Sequence, residues 1–134
     1  MQETSPSGNP ASADVLGELI AREPLFHRPE LGTAREDYTR MVVDDYWETG
    51  ASGRRYSLES VLDVLEQRQR TPGEDRWETS DFRCRALGGN CHLLTYTLRQ
   101  DRRITRRMTL WRRDLDGWRA VYHQGTAVQE ESAA

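Results

Sequence analysis

Two periodicities divide the chain. From about residue 12 to residue 71 apolar side chains recur at helical spacing, and from about residue 77 to residue 126 they alternate every second position. In the first region Val15, Leu16, Leu19 and Ile20 predict a helix opening at Ser12 or Asp14 and interrupted by Pro24. Thr33-Ala34-Arg35-Glu36 has the capping-box pattern and predicts a second helix with Tyr38, Met41 and Val42 as its buried stripe. Tyr46–Thr49 reads as a short strand ended by Gly50 and a Ser52-Gly53 turn. Ser57 caps a third helix whose apolar stripe is Leu58, Val61, Leu62 and Leu65. The second region predicts four strands, about 77–87, 91–99, 104–113 and 118–126, separated by turns at Gly88-Gly89-Asn90, Gln100–Arg103 and Asp116-Gly117. Helices first and an antiparallel meander last predict an α+β fold, with three N-terminal helices on one face of a curved, mostly antiparallel sheet. The expected layout is a single domain over 12–128 between disordered tails at 1–11 and 129–134.

Turn lengths give a register. A three-residue loop at 88–90 pairs Cys84 with Leu94 and Phe82 with Tyr96. A loop centred on Arg102 pairs Tyr96 with Met108 and Leu94 with Leu110, and a two-residue Asp116-Gly117 turn sets Leu110 opposite His123. One face then collects Phe82, Cys84, Leu94, Tyr96, Met108, Leu110, Val121 and His123, which suits cross-strand apolar packing. The other carries Thr95, Thr97, Thr109, Trp111, Arg113, Trp118, Ala120, Tyr122 and Gln124. An aromatic outer face suggests a second copy of the chain, so Thr109, Trp111, Trp118, Tyr122 and Gln124 are the expected homodimer contacts. The other reading is packing against a chain terminus.

Five stretches, in this order, carry a resemblance: Phe26–Gly32 (FHRPELG), Trp47–Tyr56 (WETGASGRRY), Leu94-Thr95-Tyr96, Leu110–Arg113 and Gly117–Thr126 (GWRAVYHQGT). The chain resembles the nuclear transport factor 2-like (SnoaL-like) superfamily. Within it, the chain is similar to the small bacterial subgroup catalogued as domain of unknown function 4440. The resemblance implies a cone-shaped half-barrel with a cavity between sheet and helices, and frequent homodimers. It implies no single reaction, because the scaffold serves isomerases, dehydratases, cyclases, hydrolases and pure binding modules.

On that scaffold the register puts His123 on the cavity face, where an imidazole can relay a proton. Glu48, if it enters an apolar cavity, becomes a general acid or base, and Tyr96 a hydrogen-bond donor. The competing roles are a core histidine satisfied by its neighbours and a surface carboxylate near Arg54 or Arg55. The ketosteroid isomerases of the superfamily use an Asp base with a Tyr and a protonated Asp. Tyr96 and Glu48 resemble part of that set, but the last three strands offer no acid to the cavity. The expected ligand contacts are Phe82, Tyr96, Arg106, Met108, Leu110, Val121 and His123, with Arg106 at the mouth for a carboxylate or phosphate. Three functions follow: a binding domain for a small, largely apolar or mildly anionic molecule, a proton-transfer enzyme, or an assembly module with a filled cavity.

Composition narrows the rest. The 134 residues carry a formal charge of −3, and all 19 basic residues are Arg, each Arg doublet of the meander lying near Asp101, Asp114 or Asp116. Nucleic acid and membrane are therefore not expected as partners. No apolar run approaches a membrane span, and Met1–Ser12 lacks a secretory signal's pattern, so a cytoplasmic location is expected. Cys84 and Cys91 fall on opposite strand faces, and three scattered histidines do not form a metal site. No phosphate loop, nucleophile elbow or HExxH occurs, and no cofactor is expected.

Overall fold

The structure is a computed structural model that describes residues 9–71, 73 and 75–129; the remainder of the expected tails, 1–8 and 130–134, lies outside the described residues. The elements, in chain order, are β1 (Asn9–Pro10), α1 (Ala13–Ile20), α2 (Arg35–Arg40), β2 (Val42–Thr49), β3 (Arg55–Ser57), α3 (Leu58–Arg70), β4 (Glu78–Gly88), β5 (Cys91–Gln100), β6 (Arg103–Asp114) and β7 (Gly117–Ala127), with a 3-10 turn at Pro29–Leu31. The sheet order is β1-β4-β5-β6-β7-β2-β3, all antiparallel except the β7–β2 pair. This is an α+β fold with three helices on one sheet face. No helix is long and apolar enough to cross a membrane.

Local chemistry explains the helix ends. Ser12 Oγ accepts from Val15 N and Ser57 Oγ from Ser60 N, each at 3.2 Å, so the expected Ser57 cap forms and, of the two expected openings of the first helix, Ser12 is the cap. The second helix starts one residue later than its Thr33 pattern predicts: Ala34 is the cap, and Asp37 rather than Glu36 reaches back to its amide at 3.1 Å. Met41 ends that helix, and Val42 opens β2, four residues before the expected strand.

The core lies between helices and sheet. Leu19, Tyr38, Val61, Leu62 and Leu65 pack onto Leu94, Tyr96, Leu98, Trp111, Trp118 and Ala120. Burial of each large side chain contributes about 1.5–3 kcal/mol. The inner face of this sheet is thus defined by what the helices cover.

Two turns correct the expected register. Cys84 does pair with Leu94. Between β5 and β6, however, the turn has only two residues, with Asp101 in the left-handed region (φ 56°), so Gln100 pairs with Arg103 and Leu94 with Thr109. A slip of one residue reverses a strand's faces. Arg106, Met108 and Leu110 therefore face outward, and Thr105, Arg107, Thr109 and Trp111 face the helices. Between β6 and β7 the turn is Leu115-Asp116, with Gly117 at φ 112° pairing with Asp114. A bulge at Val121 then lies between the Trp111–Ala120 and Leu110–Tyr122 pairs. Strict alternation cannot turn both Trp118 and His123 inward; the bulge does. The expected outer aromatic face is therefore corrected at Thr109, Trp111 and Trp118, which are 0%, 1% and 6% exposed within the single chain.

Candidate functional site

A pocket of about 250 Å³ opens between α3, the Pro24–His27 segment and the inner face of the sheet. Its floor is made by Glu48, Tyr96, Arg107 and His123, and its apolar wall by Phe26, Val61 and Leu65, with His27 and Arg68 at one side. Several bonds position these walls. Arg28 donates to the carbonyls of Glu23 (2.8 Å) and Ile20 (3.0 Å), tying the segment after α1 back to that helix. Arg35 of α2 meets Glu59, Asp63 and Glu66 of α3, which sets α3 over the sheet.

The parallel β2–β7 pairing places Glu48 directly beside His123. Tyr46 donates its hydroxyl to Glu48 Oε1 at 2.6 Å. Burial pushes the Glu48 carboxyl above the usual carboxylate range, against the opposing pull of the Tyr46 bond and the Arg107 charge. His123 is buried, and burial with the Arg107 charge, and less so His27, pushes its imidazole down to about 3. It is neutral at physiological pH.

Hydrogen-bond polarity fixes its tautomer. A guanidinium can only donate, so the Arg107 Nη1 contact at 3.3 Å makes His123 Nε2 the acceptor. The proton then sits on Nδ1 and is donated to Thr109 Oγ1 at 2.7 Å. That leaves the Thr109 hydroxyl hydrogen for its bond to Glu23.

Glu23 is the anchor beneath this chain. It is 0% exposed and accepts from Tyr96 OH (2.7 Å), Leu25 N (2.8 Å) and Trp111 Nε1 (3.0 Å). Burial raises its pKa, while those bonds and the Thr109 bond act in the opposite direction. Two of the donors are N–H groups that cannot accept, so the shell fits a carboxylate. His27 repeats the pattern: Nδ1 lies 2.8 Å from Asp75 Oδ2, and Arg68 Nη1 lies 3.4 Å from Nε2. Each imidazole is thus held from behind through Nδ1 and presents Nε2 to an arginine of the pocket.

With the geometry in place, the likeness to known proteins is clear. No family model and no curated protein matches the chain. Solved structures do. An NTF2-like protein from Cytophaga hutchinsonii superposes with a TM-score of 0.69 at 14% identity, covering 88% of this chain and 99% of that one. A candidate dehydratase from the NTF2-like family of Streptomyces avermitilis gives 0.70 at 14% identity, covering 89% and 100%. A candidate ketosteroid isomerase from Parabacteroides distasonis gives 0.64 at 14% identity, covering 93% and 98%. The fold is NTF2-like. At such identities the likeness establishes architecture and leaves chemistry to the site.

Among the expected site residues, His123, Glu48 and Tyr96 meet in the pocket. Phe82 stacks on the Tyr96 ring at 4.9 Å without lining the pocket, and Val121 sits at the bulge, packed against the core. Arg106, Met108 and Leu110 do not reach it; Arg106 donates to Thr97 Oγ1 on the outer face at 2.6 Å. Tyr122 and Gln124 are on the outer face as expected, where Tyr122 packs on Trp47 at 4.9 Å and donates to Gln124. Sequence reasoning missed Arg107, Arg68, His27, Glu23 and Thr109. One signal for Arg107 was available in Gly125: a Cβ there would lie 3.0 Å from the guanidinium carbon, so any larger residue would push the Arg107 head away from the strand.

Proposed function

We propose that the chain is a small-molecule-binding domain of the nuclear transport factor 2-like superfamily, with the ligand held in a cone between sheet and helices. The observation that carries this reading is the pocket itself: an apolar wall facing a floor of convergent polar groups, Glu48, His123 and Arg107. Space of about 250 Å³ favours a ligand over the filled cavity that a pure assembly module needs. The subgroup catalogued as domain of unknown function 4440 and a cytoplasmic location belong to the same reading. So does a homodimer through the outer sheet face, where Trp47 is 47% exposed beside Tyr122. Native mass spectrometry of the purified protein tests it. The reading expects a dimer retaining a non-covalent small-molecule adduct. A monomer contradicts the interface, and a chain that never retains a ligand, even with candidate ligands added, contradicts the pocket's role.

A second reading, proton-transfer catalysis of the isomerase, dehydratase or cyclase type, is favoured by the Glu48–His123 pairing. One group is a carboxyl whose pKa burial raises, the other a neutral imidazole whose Nε2 accepts from Arg107 at the pocket floor and becomes available to a substrate when that contact opens, which suits an acid and a base on one substrate. Deuterium exchange into the α-positions of a small cyclic ketone tests it. Acceleration that disappears in Glu48→Gln and His123→Gln supports catalysis, and no acceleration by the native protein contradicts it for that substrate class.

A further inference from the structure

The arginines of the pocket say what kind of molecule it takes. Arg107 donates Nε to Thr105 Oγ1 at 2.9 Å and Nη1 to His123 Nε2. Arg68 donates Nη2 to the Phe26 carbonyl at 2.6 Å and lies with Nη1 against His27 Nε2. All four acceptors are neutral. Among the described residues, neither guanidinium makes a contact ion pair with a carboxylate, although seven other arginines do so elsewhere in the fold. The pocket's one acid, Glu48, has turned an oxygen to Tyr46. Only the charges of Glu48 and Glu23, neither in contact with it, offset the partly buried Arg107, and a partly buried cation without a contact ion pair gains from an anion that brings its own charge.

We infer that the pocket binds a small monocarboxylate, its carboxylate on Arg107 with Arg68 facing it and its hydrocarbon body against Phe26, Val61 and Leu65. The inference rests on the ligand-binding reading above and adds the chemical class. A neutral molecule leaves both guanidinium groups as they are, and a cation is repelled by them. Arg107, its guanidinium packed close against Gly125, has spent Nε on Thr105 and one Nη1 hydrogen on His123, which leaves Nη2 and the other Nη1 hydrogen for a carboxylate.

Binding is coupled to protons. The groups facing Glu48 are Tyr46 on its own strand, Arg107 from β6 and His123 from β7; Tyr96 from β5, Arg68 from α3 and His27 line the rest of the pocket. An incoming carboxylate adds a like charge near Glu48, so it binds best while Glu48 is protonated. Affinity therefore falls as pH rises through the Glu48 titration, which burial shifts upward.

The test uses the full chain and three probes of one shape, hexanoate, hexanamide and hexylammonium, followed by ¹H–¹⁵N NMR titration. Hexanoate is expected to shift pocket resonances and bind at least about tenfold more tightly than the amide, with the ammonium weakest. Its affinity weakens with rising pH in the native protein and far less in Glu48→Gln. Arg107→Met brings hexanoate down to the amide's affinity. If the amide or the ammonium binds as tightly as the acid, the anion class is wrong while the ligand pocket stands. If none of the three perturbs the pocket at any attainable concentration, both readings fall. The comparison among probes on the native chain decides the question even where Arg107→Met does not fold.

Discussion

One sheet face carries two polar regions that have been built in opposite ways. At Glu23 every polar atom has found a partner within the chain: Tyr96, Leu25, Trp111 and Thr109 all point hydrogens at one carboxylate. Two residues along β6 from Thr109, at Arg107, a half-buried guanidinium sits among neutral acceptors beside a pocket. The first arrangement closes on itself and specifies the core. The second is incomplete without a further group. Burial of polar side chains alone does not distinguish structure from function; whether their hydrogen-bonding capacity is spent internally does.

The contrast breaks most visibly at Glu23. Glu23→Leu keeps the volume and removes the acceptor, leaving the four donors Tyr96, Leu25, Trp111 and Thr109 without that partner. It is expected to cost about 3–5 kcal/mol in chemical denaturation, since each orphaned donor costs ~1–3 kcal/mol and the added apolar burial offsets part. A smaller loss, about 1–2 kcal/mol, is expected from Thr109→Val, which cuts the link between His123 and Glu23 while preserving shape. The same variant should free the imidazole to change tautomer, visible as altered ring ¹⁵N shifts.

Titration sharpens the comparison. Folded His123 stays neutral down to about pH 3, whereas the unfolded imidazole takes up a proton near its ordinary 6.5. The unfolded state thus binds more protons in that window, and stability falls on acidification from about 6.5, by up to ~1.4 kcal/mol per pH unit from this group. Glu23 and Glu48 act with the opposite sign, because their raised folded pKa values give stability that is lost as pH rises through them. His123→Gln should therefore flatten the acid limb of the stability profile, with His27 and His92, also depressed by burial, supplying part of the slope that remains. On the outer face the expected effect on the chain itself is smallest. Trp47→Ala should change chain stability by less than about 0.5 kcal/mol yet weaken a dimer in sedimentation equilibrium. A dimer that is unaffected removes the outer face from consideration.

Much of this was legible from the residues. The four meander strands followed from alternation and the Ser57 cap from its local pattern, whereas β1, which takes Asn9–Pro10 out of the expected disordered tail, and β3 left no such signal. The pairing of Cys84 with Leu94 followed from loop length, because Gly88-Gly89-Asn90 leaves little choice of turn. What was not legible was one residue of turn at Asp101 and one residue of bulge at Val121. Neither leaves a hydrophobic signature, because β6 is amphipathic on both parities: Thr105, Thr109 and Trp111 are as plausible inside as Met108 and Leu110. The slip moved the pocket's arginine from Arg106 to Arg107 and took Trp111 and Trp118 from the surface to the core. His123 kept its expected place because the bulge compensates on β7, and of the two readings of Glu48, pocket or surface, the pocket is the one realised. His27, Arg68 and Glu23 come from segments whose irregular backbone has no period to read.

The most direct test of the division between the two regions is the stability of Arg107→Met beside the native protein in chemical denaturation. If Arg107 is held for a ligand, its removal forfeits two neutral hydrogen bonds but relieves a desolvated cation, and the two proteins should agree within about 1 kcal/mol. A loss of about 3 kcal/mol or more would make Arg107 a structural strut like Glu23, and would contradict the account.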